Sequence, residues 1–176
     1  MAKILKSSKK INIRETQEKD LEFVIKLEGD VENKDNVFQY TKDQHKDIIE
    51  GNDTLHLIIT NENNKKIGYA ITAGLNSKNK SIELKRIVIS DKNNGYGSEF
   101  LRLFKEYVFE ELHFHKLWLD FFLSNKKVEA FYTRNGFIKE GVIRDRYFYK
   151  DKYITIVVMS ILEKDYYNTD YNRKGN

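Results

Sequence analysis

Cysteine is absent from this 176-residue chain, which rules out disulfides, thiolate metal ligands and a cysteine nucleophile. A cysteine-free composition fits a reducing compartment, so the cytoplasm is the expected location. Long apolar runs are missing too. No window approaches the roughly 18 apolar residues of a membrane span, and no membrane partner is expected. The start, MAKILKSSKK, is basic, yet no apolar stretch follows it, so it does not read as a secretory signal. Charge of one sign is nowhere concentrated. The net charge of +4 comes from basic residues scattered among acidic ones. Nucleic-acid binding normally shows a clustered basic stripe, so no nucleic-acid partner is expected. His45, His56, His113 and His115 lack metal-ligand spacing with carboxylates or one another, so no metal is expected. Neither a Gly-x-Ser-x-Gly elbow nor a GxxxxGK phosphate loop occurs, which leaves a serine hydrolase and a P-loop enzyme unsupported.

What is present is material for a core. Hydrophobic residues make up 40%, with eleven Phe and eleven Tyr, and the length suits one domain. KINIRE alternates as a first strand, and Thr16 offers a cap to the helical stripe of Leu21, Val24, Ile25 and Leu27. TKDQHKDIIEG reads as a second helix ended by Gly51, followed by a hairpin of TLHLIIT and KIGYAITAG. In SIELKRIVIS, Ile82 and Leu84 share one parity while Ile87 and Ile89 share the other. That phase change marks either a β-bulge near Lys85 and Arg86 or a strand end buried on both faces. The longest helical pattern follows, with Phe100, Phe104, Tyr107, Val108 and Leu112 at three- and four-residue steps. KLWLDFFLS is a nearly all-apolar strand, NKKVEAFYTRNGF a short helix closed by Asn135-Gly136, and the remainder two long strands turning at Lys150 to Lys152. The fold class is therefore mixed α/β, with one sheet and helices on its faces. Residues 1–9 are expected to be a flexible segment, 10–164 a single domain and 165–176 a disordered tail.

Between the bulged strand and the long helix stands DKNNGYGSEF, residues 91–100. Strand, glycine turn and helix start aim backbone N–H groups at an anion, and the helix dipole favours negative charge there. Lys92, Asn93, Asn94, Gly95, Tyr96, Gly97 and Ser98 together read as a pyrophosphate cradle. Alone, the two glycines are also compatible with a tight connection that needs only positive φ. A dinucleotide-binding Rossmann unit needs a third glycine near position 100, where Phe100 stands.

RIVISDKNNGYGSEFLRLFKEYVFEEL resembles the acetyl-CoA-binding segment of the GNAT N-acetyltransferase superfamily, a strand, Arg/Gln-x-x-Gly-x-Gly/Ala and a long helix. NKKVEAFYTRNGF is similar to its second signature, and the order of elements matches over residues 11–163. Lys92 stands where Arg or Gln is usual, Asn93 where glycine is frequent, and Val128 at a usually small residue. The resemblance implies a central, mostly antiparallel sheet of about seven strands flanked by about four helices. It implies acetyl-CoA as donor, an amine acceptor and direct transfer in a ternary complex; a homodimer is compatible with it. The amides of Ile87, Val88 and Ile89 would pair with the pantetheine arm and polarise the thioester oxygen. Asn125 is expected to cap its helix and touch the cofactor.

An alkylammonium with a pKa near ~10.4 must lose a proton before it attacks, and Glu83 and Asp120 are the candidate bases, alone or through water. Glu83 also fits a surface partner of Lys80, Lys85 or Arg86, and Asp120 a backbone-bonded carboxylate. Tyr132 is the expected acid for the leaving thiolate, although a Tyr beside Phe131 also fits a core position. The acceptor stays open. Glu28, Asp30, Glu32 and Asp35, with Phe38 and Tyr40, would suit a polyamine or aminoglycoside if they are more than a solvated loop. GVIRDRYFYKDKYITIVVMSIL instead resembles the branch that acetylates ribosomal-protein N-termini. A non-catalytic acyl-CoA-binding module is the rival from another class.

Overall fold

The computed structural model describes residues 3–30, 33 and 37–174. Eight strands form one open sheet: β1 (Ile4–Ser7), β2 (Ile11–Glu15), β3 (Thr54–Asn61), β4 (Lys66–Ala73), β5 (Ser81–Ile89), β6 (Lys116–Phe122), β7 (Ile138–Tyr149) and β8 (Lys152–Leu162). Their order is β1-β2-β3-β4-β5-β6-β8-β7, and all neighbours are antiparallel except β5 and β6. Helices α1 (Leu21–Gly29) and α2 (Lys42–Glu50) pack on one face around Val24, Leu27, Ile58, Tyr69, Ile71 and Val88. Helices α3 (Tyr96–Glu106) and α4 (Lys126–Arg134) cover the other, over a larger core that includes Phe100, Phe104, Leu117, Leu119 and Tyr132. α5 (Glu163–Lys174) follows β8.

Three expectations change. Residues 1–9 contain β1, held by antiparallel pairing with β2 and by Lys6 Nζ, 2.6 Å from both Glu106 and Glu111. This strand raises the count from about seven to eight. The segment expected to be a loose tail contains α5, anchored where Tyr166 stacks on Phe109 at 5.0 Å and donates to Glu110 Oε1 at 2.6 Å. One aromatic anchor replaces the apolar periodicity that normally signals a helix, and the helix count becomes five. Thr16 is not a cap. Gln17 takes that position ahead of a 3-10 turn, Glu18–Asp20, while the Thr16 hydroxyl meets His56 Nδ1 at 2.8 Å.

The bulge is real, and it positions the site. Ile71 faces Arg86 and Thr72 faces Leu84, so Lys85 is the extra residue. Ile82 and Leu84 pack into the α3–α4 core, and so do Ile87 and Ile89, whereas Arg86 and Val88 fall on the α1–α2 side. Without the extra residue Arg86 would share a face with Leu84. β5 then leaves its parallel neighbour. The two pair only at Ser81–Lys116, Ile82–Leu117 and Glu83–Trp118, and a gap opens beyond.

Candidate active site

The gap between β5 and β6 is the centre of a cleft of about 1140 Å³. On its β5 side, main chain does the lining. Ser90 N donates to Ile67 O at 2.8 Å, so Ser90, Val88 and Arg86 occupy the hydrogen-bonded positions of the antiparallel ladder with β4. Alternation turns the N–H and C=O groups of Ile87 and Ile89 the other way, into the gap. All three predicted residues line the cleft, but the Val88 amide belongs to the sheet.

The strand runs on into the glycine turn. Asn93 takes φ 67° and Gly95, the residue before α3, φ 74°, two left-handed conformations in three residues. Asn tolerates this region and glycine enters it freely. Gly97 matters through space: a Cβ there would stand 3.1 Å from Phe131 Cζ, so its lack of a side chain lets α3 start close against α4. The first N–H groups of α3 have no intrahelical acceptor and face a run of turn amides. Lys92, Asn93, Gly95, Tyr96, Gly97 and Ser98 line the cleft; Asn94 is exposed and lies outside the lining. Ser98 Oγ also accepts from Asn135 Nδ2 at 3.2 Å, tying the turn to the end of α4. Lys10 adds a cation that the sequence did not point to, with its Nζ 3.1 Å from where a Gly95 Cβ would stand.

The candidate acid and base side chains come from both sides of the gap. Glu83, before the bulge, and Asp120, on β6, share a sheet face because Glu83 pairs with Trp118, two residues from Asp120. Burial raises the Glu83 pKa, and the nearby Asp120 charge raises it further. Burial raises Asp120 as well, against the hydroxyl of Tyr147, which donates to its Oδ2 at 3.0 Å. Lys85 and Arg146 oppose both shifts without reversing them. Among the described residues Glu83 makes no ion pair, because Arg86 is committed to Glu28. Asp120 is held by a side chain and not by backbone. Tyr132 is 7% exposed, with ring centroids 5.8 Å from Phe121 and 5.5 Å from Phe137. It is a core residue and lines the cleft, so the two readings of it are compatible. Burial, then Asp120, pushes its pKa up and keeps the phenol protonated. Asn125 begins α4 through its carbonyl, which accepts from Val128 N at 3.2 Å, but its side chain makes no capping bond.

The far wall is aromatic. Phe38 meets Phe122, Tyr147 and Tyr149 edge-on at 5.4, 5.3 and 4.8 Å, which joins the α1–α2 connection to β6 and β7. Tyr40 stands beside it, against Arg86. The acidic run does not act as a group. Glu28 is buried in an ion pair, Asp30 is exposed, and Glu32 and Asp35 lie outside the described residues. His45 and His56, unremarkable in sequence, meet Glu28 and Tyr69 in a buried polar cluster. The four residues come from four separate elements, α2, β3, α1 and β4, and no local pattern announces them. No cluster of metal-binding side chains occurs among the described residues, and no helix there is long and apolar enough to cross a membrane.

A splayed parallel pair in a mostly antiparallel sheet, with a glycine turn and helix start on one side and half-buried carboxylates on the other, has the make-up of an acyl-CoA-dependent transferase. The comparisons agree: the Acetyltransferase (GNAT) domain family matches residues 10–138, and the chain belongs to that family of N-acetyltransferases, whose donor is acetyl-CoA. A spermidine N(1)-acetyltransferase of Vibrio cholerae is 24% identical over 121 residues, covering 68% of this chain and 70% of that protein. A mutant of the SpeG spermidine N-acetyltransferase from Vibrio cholerae superposes with a TM-score of 0.80 at 21% identity, covering 93% of this chain and 99% of that one. The same enzyme in complex with manganese ions gives 0.75 at 22%, covering 91% and 96%.

Proposed function

We propose that the chain moves the acetyl group of acetyl-CoA to a primary amine of a small polyamine, by direct attack within a ternary complex. The observation that carries this reading is the meeting, across the β5–β6 gap, of the glycine turn and α3 start with two half-buried carboxylates of raised pKa.

The donor's pyrophosphate lies on the amides of the turn and the α3 start, with Lys10 and Lys92 near. Its peptide-like arm pairs with the turned-out groups of Ile87 and Ile89, and one of these N–H groups polarises the thioester oxygen. Glu83 or Asp120, directly or through water, takes a proton from the ammonium. The amine nitrogen then attacks the carbonyl carbon, the C–S bond breaks, and Tyr132 gives its proton to the departing sulfur. The second proton of the attacking nitrogen passes to the tyrosinate, directly or through water. The amide product and free CoA thiol follow. A carboxylate raised toward neutrality is a better base, and a phenol that stays protonated is a ready acid.

Two features favour a polyamine over a peptide N-terminus. Phe38, packed against Phe122 and Tyr149, makes an aromatic lining that suits the methylene chain of a polyamine, and carboxylates beside aromatic rings suit a second cationic centre. The relatives named for spermidine acetylation support the same choice. The test is thiol release from acetyl-CoA across polyamines, aminoglycosides and N-terminal peptides, with Tyr132→Phe and CoA binding measured alongside. Turnover with polyamines, lost in the variant while CoA still binds, supports the proposal. Turnover with peptides alone overturns the acceptor, and CoA binding without any turnover favours a binding module.

A further inference from the structure

Behind the acceptor wall lies a buried polar chain that the transfer steps do not use. Glu28 is 1% exposed. Its Oε1 accepts from Arg86 Nη1 and Tyr69 Oη, each at 2.5 Å, and its Oε2 accepts from the Tyr40 backbone N–H at 2.9 Å. His45 Nε2 stands 3.4 Å from the same Oε1, His45 Nδ1 is 3.0 Å from His56 Nε2, and His56 Nδ1 is 2.8 Å from Thr16 Oγ1. With both imidazoles neutral, one order of donors suits every contact. The Thr16 hydroxyl donates to His56, His56 Nε2–H donates to His45 Nδ1, and His45 Nε2–H faces the carboxylate. The reverse order would set a nitrogen lone pair against a carboxylate oxygen.

The inner end of this chain is packing, but its outer end reaches the cleft. Arg86 is the residue after the bulge, its guanidinium lies 4.1 Å over the Tyr40 ring, and both residues line the cleft with Phe38. One carboxylate therefore grips β5 just past the bulge through Arg86, and the end of the α1–α2 connection through Tyr40. Buried ion pairs add little stability over apolar replacements of similar volume, while they do fix geometry. We propose that the Glu28–Arg86 pair is a positioning unit for the acceptor: it holds Tyr40 and Phe38 at a set distance from β5, and so shapes the amine site without touching the reacting atoms. Its kinetic consequence rests on the amine-acetylation reading; its structural claim does not.

The test combines hydrogen exchange over residues 37–41 with kinetics in both substrates, for wild type, Glu28→Gln, and a charge-free variant combining Glu28→Leu, Arg86→Met and Tyr69→Phe. The combined variant keeps the argument open to refutation if Glu28→Gln alone, which leaves Arg86 buried and unpaired, fails to fold. In either variant the Tyr40 amide exchanges at least about tenfold faster. The amine KM rises about tenfold, as the wall holds its competent position for a smaller fraction of the time, while kcat and the acetyl-CoA KM stay within about twofold. His56→Gln, at the inner end, lowers the melting temperature and leaves both readouts unchanged. Unchanged exchange at Tyr40, or equal rises in the KM of both substrates, overturns the proposal. If the wild type acetylates no amine, the functional reading fails, and exchange at Tyr40 alone decides the positioning claim.

Discussion

The proposed donor side of the cleft comes from one continuous stretch, Ile87 to Ser98, whereas the proposed acceptor side gathers residues from the α1–α2 connection, β5, β6 and β7. Amides in a fixed turn recognise what every acyl-CoA shares, a pyrophosphate and a peptide-like arm. Side chains on separate elements recognise what differs between acceptors. The first kind of site depends on conformation and tolerates most changes of side chain; the second depends on side-chain identity.

That contrast is sharpened most by Tyr132, the proposed acid between the two sides. Tyr132→Phe keeps the ring among Phe121 and Phe137 and removes only the proton. In steady-state assays kcat falls about 100-fold or more, while calorimetry shows CoA binding intact. Phe38→Ala breaks the acceptor wall alone: the amine KM rises about tenfold, longer amines gain relative to short ones, and the acetyl-CoA KM stays put. Gly95→Ala breaks the donor side alone. A side chain at φ 74° costs about 1 kcal/mol, so the acetyl-CoA KM rises several-fold with the amine KM unchanged. Equal effects of either change on both substrates would dissolve the distinction between the sides.

The pH behaviour separates them further. Because burial raises the Glu83 and Asp120 pKa values, the acidic limb of kcat/KM lies above the ordinary carboxylate range. The actual base is the one whose amide variant, Glu83→Gln or Asp120→Asn, abolishes that limb. Stability has its own pH window. Burial holds His56 down at about 3, so below the unfolded value of 6.5 the unfolded chain binds the proton first. Stability is therefore full above that value and falls as pH drops toward 3, by up to ~1.4 kcal/mol per unit. Asp20, held down at about 2 because bonds from Arg14, Gln17 and Lys66 outweigh its burial, extends the loss below pH 3.8. Thermal melts from pH 7 to 4 read the slope, and His56→Gln flattens it.

How much was legible in sequence follows the same division. The bulge, the glycine turn and the hairpins are local or pairwise, and parity and spacing recorded them; the left-handed Asn93 and the gap between β5 and β6 came only with the fold. Glu83, Asp120 and Tyr132, candidates from strand position and the resemblance, all line the one cleft. The Tyr147 bond to Asp120, the Phe38 cluster and the Glu28–Arg86–His45–His56 chain were not. Each depends on the packing of helices over the sheet, which brings together positions with no periodic relation. Glu28 shows the cost of reading charge without packing: in sequence it belongs to an acidic run, and in the fold its carboxylate is fully bonded. β1 and α5 escaped for a related reason: β1 is held by pairing with β2 and by Lys6, and α5 by Tyr166, contacts that leave no periodic trace.

The most direct test of the central claim, that donor and acceptor meet in one gap, is an initial-rate grid in which acetyl-CoA and a polyamine are both varied. Lines that intersect to the left of the axis in the double-reciprocal plot are predicted, because both substrates must be bound before the C–S bond breaks. Parallel lines, with CoA thiol released in a burst before any amine is added, would mean that the acetyl group rests on the protein first, and would contradict the account.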